Sequence, residues 1–251
     1  MSAGSPGATW QQPTAAEWFL DDRELRLPLI DVQEDLIRRL FERHGHPVSR
    51  FVDLGAGDGA LSALMLSVFP DAHAVLVDFS EPMLAGAERR LDGRASWEIV
   101  RGDLSDQSWR DALPAGTYGA VVSSLAIHHL PAERKRELYA ESFELLDEGA
   151  MFINLDYVLI SGPLYGVWDE QLVENSLRLD RERGGSRTAE ELERNLCGDA
   201  DEDRPDTIDD QLRWLRDAGF DGVEVHFKWA EVAVFGGIKP PGATGAAEGQ
   251  R

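Results

Sequence analysis

The stretch Phe51-Val52-Asp53-Leu54-Gly55-Ala56-Gly57-Asp58-Gly59 constrains this chain more than any other. A short apolar run leads into three alternating glycines, and a helix-like run, Ala60 to Val68, follows at once. Glycine reaches backbone conformations closed to residues with a Cβ and lets a ligand approach the main chain closely. A helix that starts there offers unpaired N–H groups to an acceptor. Strand, glycine bend and helix in this order predict an α/β unit with a ligand at the bend. The spacing is Gly-x-Gly-x-Gly, whereas dinucleotide sites use Gly-x-Gly-x-x-Gly. The acid before the first glycine, Asp53, suits a cationic ligand group and sits poorly beside a pyrophosphate.

The rest of the chain alternates in the same way. Apolar spacing predicts a helix over Asp31–His44, from Val32, Leu36, Ile37 and Leu40. Strands are expected at Arg50–Leu54, Ala74–Asp78, Trp97–Arg101, Tyr118–Ser123 and Ala150–Asp156. Helices are expected between them at Ala60–Val68, Glu81–Leu91 with Ser80 as N-cap, and Ala132–Leu146 closed by Glu148-Gly149. Near-continuous apolar runs of this kind suit buried parallel strands. Tyr157 to Arg204 reads as mostly helical, and a helix follows at Thr207–Asp217. Two last strands, Gly222–Trp229 and Glu231–Gly236, are joined too closely for a helical crossover, so they must pair antiparallel. The expected fold is α/β: a Rossmann-like, seven-stranded, mostly parallel sheet with one antiparallel strand, helices on both faces and a helical lid.

Composition narrows the partners. The net charge is −21, from 25 basic and 46 acidic side chains, with no visible Lys/Arg cluster. Such a surface repels phosphate backbones and argues against nucleic acid as a partner. No apolar run is long enough to span a bilayer, and no basic, apolar leader opens the chain, so no membrane role is expected. The single cysteine, Cys197, cannot form an internal disulfide, which fits a cytoplasmic protein. Residues 1–13 and 240–251 are rich in Gly, Ala and Pro and are expected to be disordered tails around one domain, 14–239. A homodimer is left open.

Three more motifs follow the glycine bend. Asp78 closes the second strand, at the sheet edge where α/β proteins bind ligands, and its carboxylate can accept both hydroxyls of a ribose. Phe79 and Met83 stand ready to pack around a ribose or base. Gly102-Asp103-Leu104 follows the third strand, and Val121-Val122-Ser123-Ser124-Leu125-Ala126-Ile127-His128-His129-Leu130-Pro131 follows the fourth. Taken together these motifs resemble the class I S-adenosylmethionine-dependent methyltransferases. The resemblance implies S-adenosylmethionine as cofactor, held by Asp53, Gly55, Gly57, Asp78, Phe79, Met83, Asp103, Leu104 and Ser123. In that setting Asp103 would take the adenine amino group, Leu104 would pack on the ring, and the Ser123 backbone would meet the amino-acid end of the donor. His128 and His129 are candidate general bases, because imidazole titrates near neutrality. A structural or cofactor-supporting role is their bland alternative. No metal site is expected, since adjacent histidines rarely converge on one ion without a further ligand.

The substrate, a small molecule, is expected under two additions to the sheet: an N-terminal helical cap over 14–49 and a lid over 157–206. Trp18, Phe19, Tyr157, Tyr165 and Trp168 could line an apolar pocket there, or simply pin these helices to the core. The seven acids between Asp199 and Asp210 read as a solvated loop. In layout the chain is similar to small-molecule methyltransferases and to the carboxy-S-adenosylmethionine synthase group, through the helical insertion and the Asp217-Ala218-Gly219-Phe220 close. That resemblance implies methyl transfer to O, N or C. The alternatives are a synthase-like enzyme in tRNA modification, with Arg187 or Arg194 holding a carboxylate, and a non-catalytic S-adenosylmethionine-binding protein.

Overall fold

The computed structural model describes residues 27–94, 96–163, 165–196 and 203–242. Its first helix, α1 (Ile30–His44), buries Ile37 and Phe41 and ends beside the amino end of a central strand, where His44 Nε2 lies 2.7 Å from the Gly149 carbonyl. From there β1 (Arg50–Leu54), α2 (Ala60–Val68), β2 (His73–Asp78), α3 (Glu81–Leu91), β3 (Trp97–Arg101) and β4 (Tyr118–Ser124) follow. The expected boundaries hold here to within one residue. The Ser80 hydroxyl accepts from Met83 N, 3.4 Å away, and Pro82 stands in the first turn of α3, where its missing N–H costs nothing.

After β4 come α4 (Ala132–Leu145), β5 (Leu146–Tyr157), α5 (Tyr165–Glu182), α6 (Ala189–Leu196), α7 (Ile208–Asp217), β6 (Asp221–Trp229) and β7 (Val232–Ile238). The helix-to-strand junction differs from the sequence expectation. No loop separates α4 from β5: Leu146, read as helical by its spacing, is fully buried and pairs with Tyr118. Burial against the sheet outweighs local helical periodicity, and Glu148-Gly149 becomes an irregular stretch inside the strand.

The seven strands lie in the order β3-β2-β1-β4-β5-β7-β6. The first five run parallel, and β7 is antiparallel to both neighbours. On one face Phe51, Leu76, Val122 and Ile153 pack with Ile37, Phe41, Met65 and Leu91 from α1 to α3. On the other, Val52, Val75, Val121 and Phe152 pack with Leu138, Tyr139 and Phe143 of α4 and with Trp214 and Leu215 of α7. Alternate strand residues thus feed two separate cores. The strand order reverses between β1 and β4, which opens a crevice at their carboxyl ends, the usual ligand position in such sheets.

Candidate active site at the carboxyl edge of the sheet

The glycine bend sits at this crevice. Gly55, Gly57 and Gly59 have φ of 67°, 54° and 74°, all in the left-handed region. A Cβ on Gly55 would overlap the Ala126 side chain, so the loops after β1 and β4 touch only because position 55 has none. Met83 packs on Gly57, where an added Cβ would lie 3.1 Å from its Cε. Asp78 holds the bend in place: Gly57 N and Ser80 N each donate to one of its carboxylate oxygens at 2.8 Å. The Phe79 N–H adds a further backbone hydrogen bond to this carboxylate. Phe79 is half-buried beside it.

Asp103 lies on the exposed loop after β3, and its Oδ1 accepts from Ser105 N at 2.8 Å. It is close enough to Asp78 that its charge helps to raise the Asp78 pKa, although burial is the larger cause. Leu104 next to it is buried. The buried Arg134 of α4, which sequence reading passed over, pins this loop by donating to the Leu104 and Asp106 carbonyls at 2.8 and 2.9 Å.

Two of the expected contact residues are buried. Asp53 is wholly buried beneath the bend, with Ser62 Oγ donating to its Oδ2 at 2.7 Å, so it does not stand on the open side to pair directly with a ligand. Burial pushes its carboxyl pKa up to about 7, against the Ser62 hydrogen bond and with help from Asp78. Its Oδ1 is buried without a hydrogen-bond partner among the described residues, the kind of orphaned acceptor that a nearby cation relieves. Ser123 lies inside the sheet, paired with Leu54 on one side and Asn154 on the other, and its hydroxyl donates to the Leu54 carbonyl at 2.7 Å. The strand ends one residue later at Ser124, and Leu125 N still donates to the Leu155 carbonyl at 2.9 Å.

The other half of the crevice is built around His128, in a short 3₁₀ turn, Ile127–His129. His128 is 3% exposed. Its Nδ1 meets Asp156 Oδ1 at 2.5 Å, its backbone N donates to Asp156 Oδ2 at 3.0 Å, and its Nε2 lies 3.4 Å from Asp203 Oδ1. Burial would pull its pKa down, but Asp156 and then Asp203 outweigh burial and push it up to about 9. Both ring nitrogens of His128 are thus turned to carboxylates. His129 lies 3.9 Å from it, ring centre to ring centre, and burial and the His128 charge lower its pKa. Its Nδ1 is 3.1 Å from the same Asp203 oxygen.

Asp203 belongs to the acidic run read as a solvated loop, and here the structure overturns that expectation. Arg204 N donates to the His128 carbonyl at 2.9 Å, and Lys135, fully buried on α4, pairs with Asp206 at 2.7 Å. The run returns to the sheet edge because two histidines and a lysine wait there. Sequence spacing carried one usable signal: Asp156 closes an apolar strand just as Asp78 does.

The aromatic candidates divide. The Tyr157 ring meets His128 edge-on, with centres 5.1 Å apart. Tyr165 is the first residue of α5, and Trp168 on the same helix is 38% exposed. Trp18 and Phe19 lie outside the described residues. Arg187 is spoken for by Asp180, which takes its backbone N at 3.0 Å and lies 3.4 Å from its Nε.

A sheet of this order, with acids at the ends of adjacent strands around a glycine bend, defines the class I methyltransferase fold. Residues 51–149 match the methyltransferase domain family. The chain is 28% identical over 198 residues to a demethylmenaquinone methyltransferase of Clavibacter sepedonicus, covering 77% of this chain and 74% of that one. It is 26% identical over 208 residues to a carboxy-S-adenosyl-L-methionine synthase of Shewanella amazonensis, covering 81% of each. Among solved structures, human N-acetylserotonin methyltransferase in complex with S-adenosylmethionine superposes with a TM-score of 0.63 at 13% identity. That match covers 96% of this chain and 60% of the human one, so the chain spans well under two thirds of that neighbour. The chain therefore carries a methyltransferase domain over residues 51–149.

Proposed function

We propose that this enzyme transfers the methyl group of S-adenosylmethionine to a small-molecule acceptor held over the carboxyl ends of β4 and β5. The observation that carries this reading is the buried Asp78 carboxylate, held at the sheet edge by the Gly57 and Ser80 N–H groups beside the glycine bend. That geometry suits a ribose diol, and the bare bend at Gly55 to Gly59 leaves room for the rest of the donor. Asp103 and Leu104 would take the adenine, Phe79 and Met83 would flank the nucleoside, and the buried Asp53 would act through its charge on a cationic ligand.

Bound S-adenosylmethionine supplies a methyl carbon already activated by its sulfonium. The chain has to align the acceptor with that carbon and keep water out. No proton acceptor is assigned: His128 stays paired with Asp156 and Asp203. Trp18, Phe19, Tyr157, Tyr165 and Trp168 remain the candidates for shaping the acceptor site, under segments 14–49 and 157–206. Among the described residues no helix is long and apolar enough to cross a membrane. The net charge of −21 supports an acceptor other than nucleic acid.

Titration calorimetry with S-adenosylmethionine tests the reading, and no binding at millimolar donor would end it. The match to the synthase keeps a second reading alive, in which the ligand is carboxy-S-adenosylmethionine. Mass spectrometry of the nucleoside carried through purification separates the two. The Arg187 guanidinium, tied to Asp180, lends the second reading no support.

A further inference from the structure

Three donor atoms from distant parts of the chain converge beside β4 and β5. His128 Nε2 lies 3.4 Å and His129 Nδ1 3.1 Å from Asp203 Oδ1, and the three lie within 4.8 Å of one another. A contact of 3.4 Å is long for a hydrogen bond between charged groups. It matches the edge of a tetrahedron around a metal, which is about 3.3–3.4 Å for metal–ligand bonds of 2.0–2.1 Å.

The surroundings fit as well. Asp156 takes the other ring nitrogen of His128 at 2.5 Å, the carboxylate partner that orients a metal-ligating imidazole and leaves Nε2 facing inward. Lys135 is matched by Asp206, so the carboxylates of Asp156 and Asp203 face only the two imidazoles. A divalent cation that takes the place of a proton on His128 Nε2 balances both carboxylates. Two imidazoles and one carboxylate favour a borderline transition metal over magnesium or calcium. The inner side is closed by His128, whereas His129 and Asp203 are 25% and 35% exposed, so a fourth position opens outward.

We infer that this enzyme binds one divalent transition-metal ion through His128 Nε2, His129 Nδ1 and Asp203, with an open position on the acceptor side of the crevice. The ion belongs to the zinc and cobalt class. Its use as an anchor for an acceptor with a ligating oxygen or nitrogen rests on the methyl-transfer reading, but the ion site does not.

The test uses tag-free full-length chain stripped with chelator and titrated with Co²⁺, then Zn²⁺. One Co²⁺ per chain is expected, with the visible absorption of a low-symmetry four- or five-coordinate site, and Zn²⁺ should displace it. Asp203→Asn and His129→Gln should each weaken Co²⁺ binding at least about tenfold while thermal unfolding shows both still folded. Substoichiometric Co²⁺ uptake, or equal uptake by wild type and both variants, overturns the inference. S-adenosylmethionine binding is measured on the same samples. Donor binding without metal uptake sinks the ion site alone. Metal uptake without donor binding sinks the methyl-transfer reading and the anchoring role with it, and leaves the ion site standing.

Discussion

The two halves of the crevice are built on different logic. Under β1, β2 and β3 the polar groups are local: Asp53 is the last residue but one of its strand, Asp78 ends its strand and Asp103 lies just past the next, each near the glycines or turn residues that follow. Asp78 is fixed by Gly57 and Ser80, and Asp103 by Ser105. Under β4 and β5 the groups come from far apart. His128 meets Asp156 and Asp203, and Lys135 meets Asp206, across 28, 75 and 71 positions of chain. The first half has the character of a fixed socket for one cofactor. The second joins the sheet edge to the returning segment 203–207.

Damage should follow that division. The largest effect is expected at the bend. Gly55→Ala combines a left-handed φ with overlap against Ala126, together roughly 2–5 kcal/mol of destabilisation, visible as a lowered denaturant midpoint. If the midpoint did not move, the tight contact between the loops after β1 and β4 would be wrong.

Asp78→Ala comes next. Losing two charge-assisted hydrogen bonds to the ribose should weaken donor binding by about 2–4 kcal/mol, some thirtyfold to a thousandfold, while Co²⁺ uptake in the other half stays unchanged. Unchanged donor affinity in calorimetry would remove Asp78 from the socket.

Lys135→Met probes the opposite half. Breaking a fully buried ion pair costs about 3–5 kcal/mol, and the quarter-exposed Asp206 reduces this to roughly 2 kcal/mol. Hydrogen exchange should quicken around 203–207 and not around the glycine bend. Equal quickening in both places would deny that the halves are separate.

A proton reports on the socket more gently. The folded Asp53 carboxyl titrates at about 7 against an ordinary 3.8, so the stability it contributes is present below pH 4 and lost as pH rises through 7. A cationic ligand favours the ionised form, so donor binding near pH 6–7 should release a fraction of a proton, read by calorimetry in buffers of different ionisation heat. Asp53→Asn should abolish that release and flatten the fall in melting temperature between pH 5 and 8.

The smallest effect is expected at Arg187. Replacing it by Ala breaks a half-exposed pair with Asp180 and should change donor affinity and turnover less than about fivefold. A larger loss, accompanied by loss of a carboxylated nucleoside in the mass spectrum, would move the enzyme to the synthase reading.

Much of this molecule was written in local sequence. The glycine bend, the acids at the ends of β2 and β3, the Ser80 cap and the terminal hairpin are each specified by neighbours within a few residues, and the parallel strands by unbroken apolar runs. Periodicity misplaced Leu146 because helical spacing and sheet burial compete for it, and burial is the stronger term. It also could not tell that Asp53 points down into the core toward Ser62. Asp203, Arg204 and Asp206 looked like a solvated acidic run, since nothing adjacent to them in the chain is basic enough to hold them. Only the folded sheet brings His128, His129 and Lys135 to meet that run, because its partners are contributed by residues of the 3₁₀ turn and of α4 some 70 positions earlier. Local chemistry therefore determined the glycine bend and its acids, and tertiary structure alone decided what gathers beside β4 and β5.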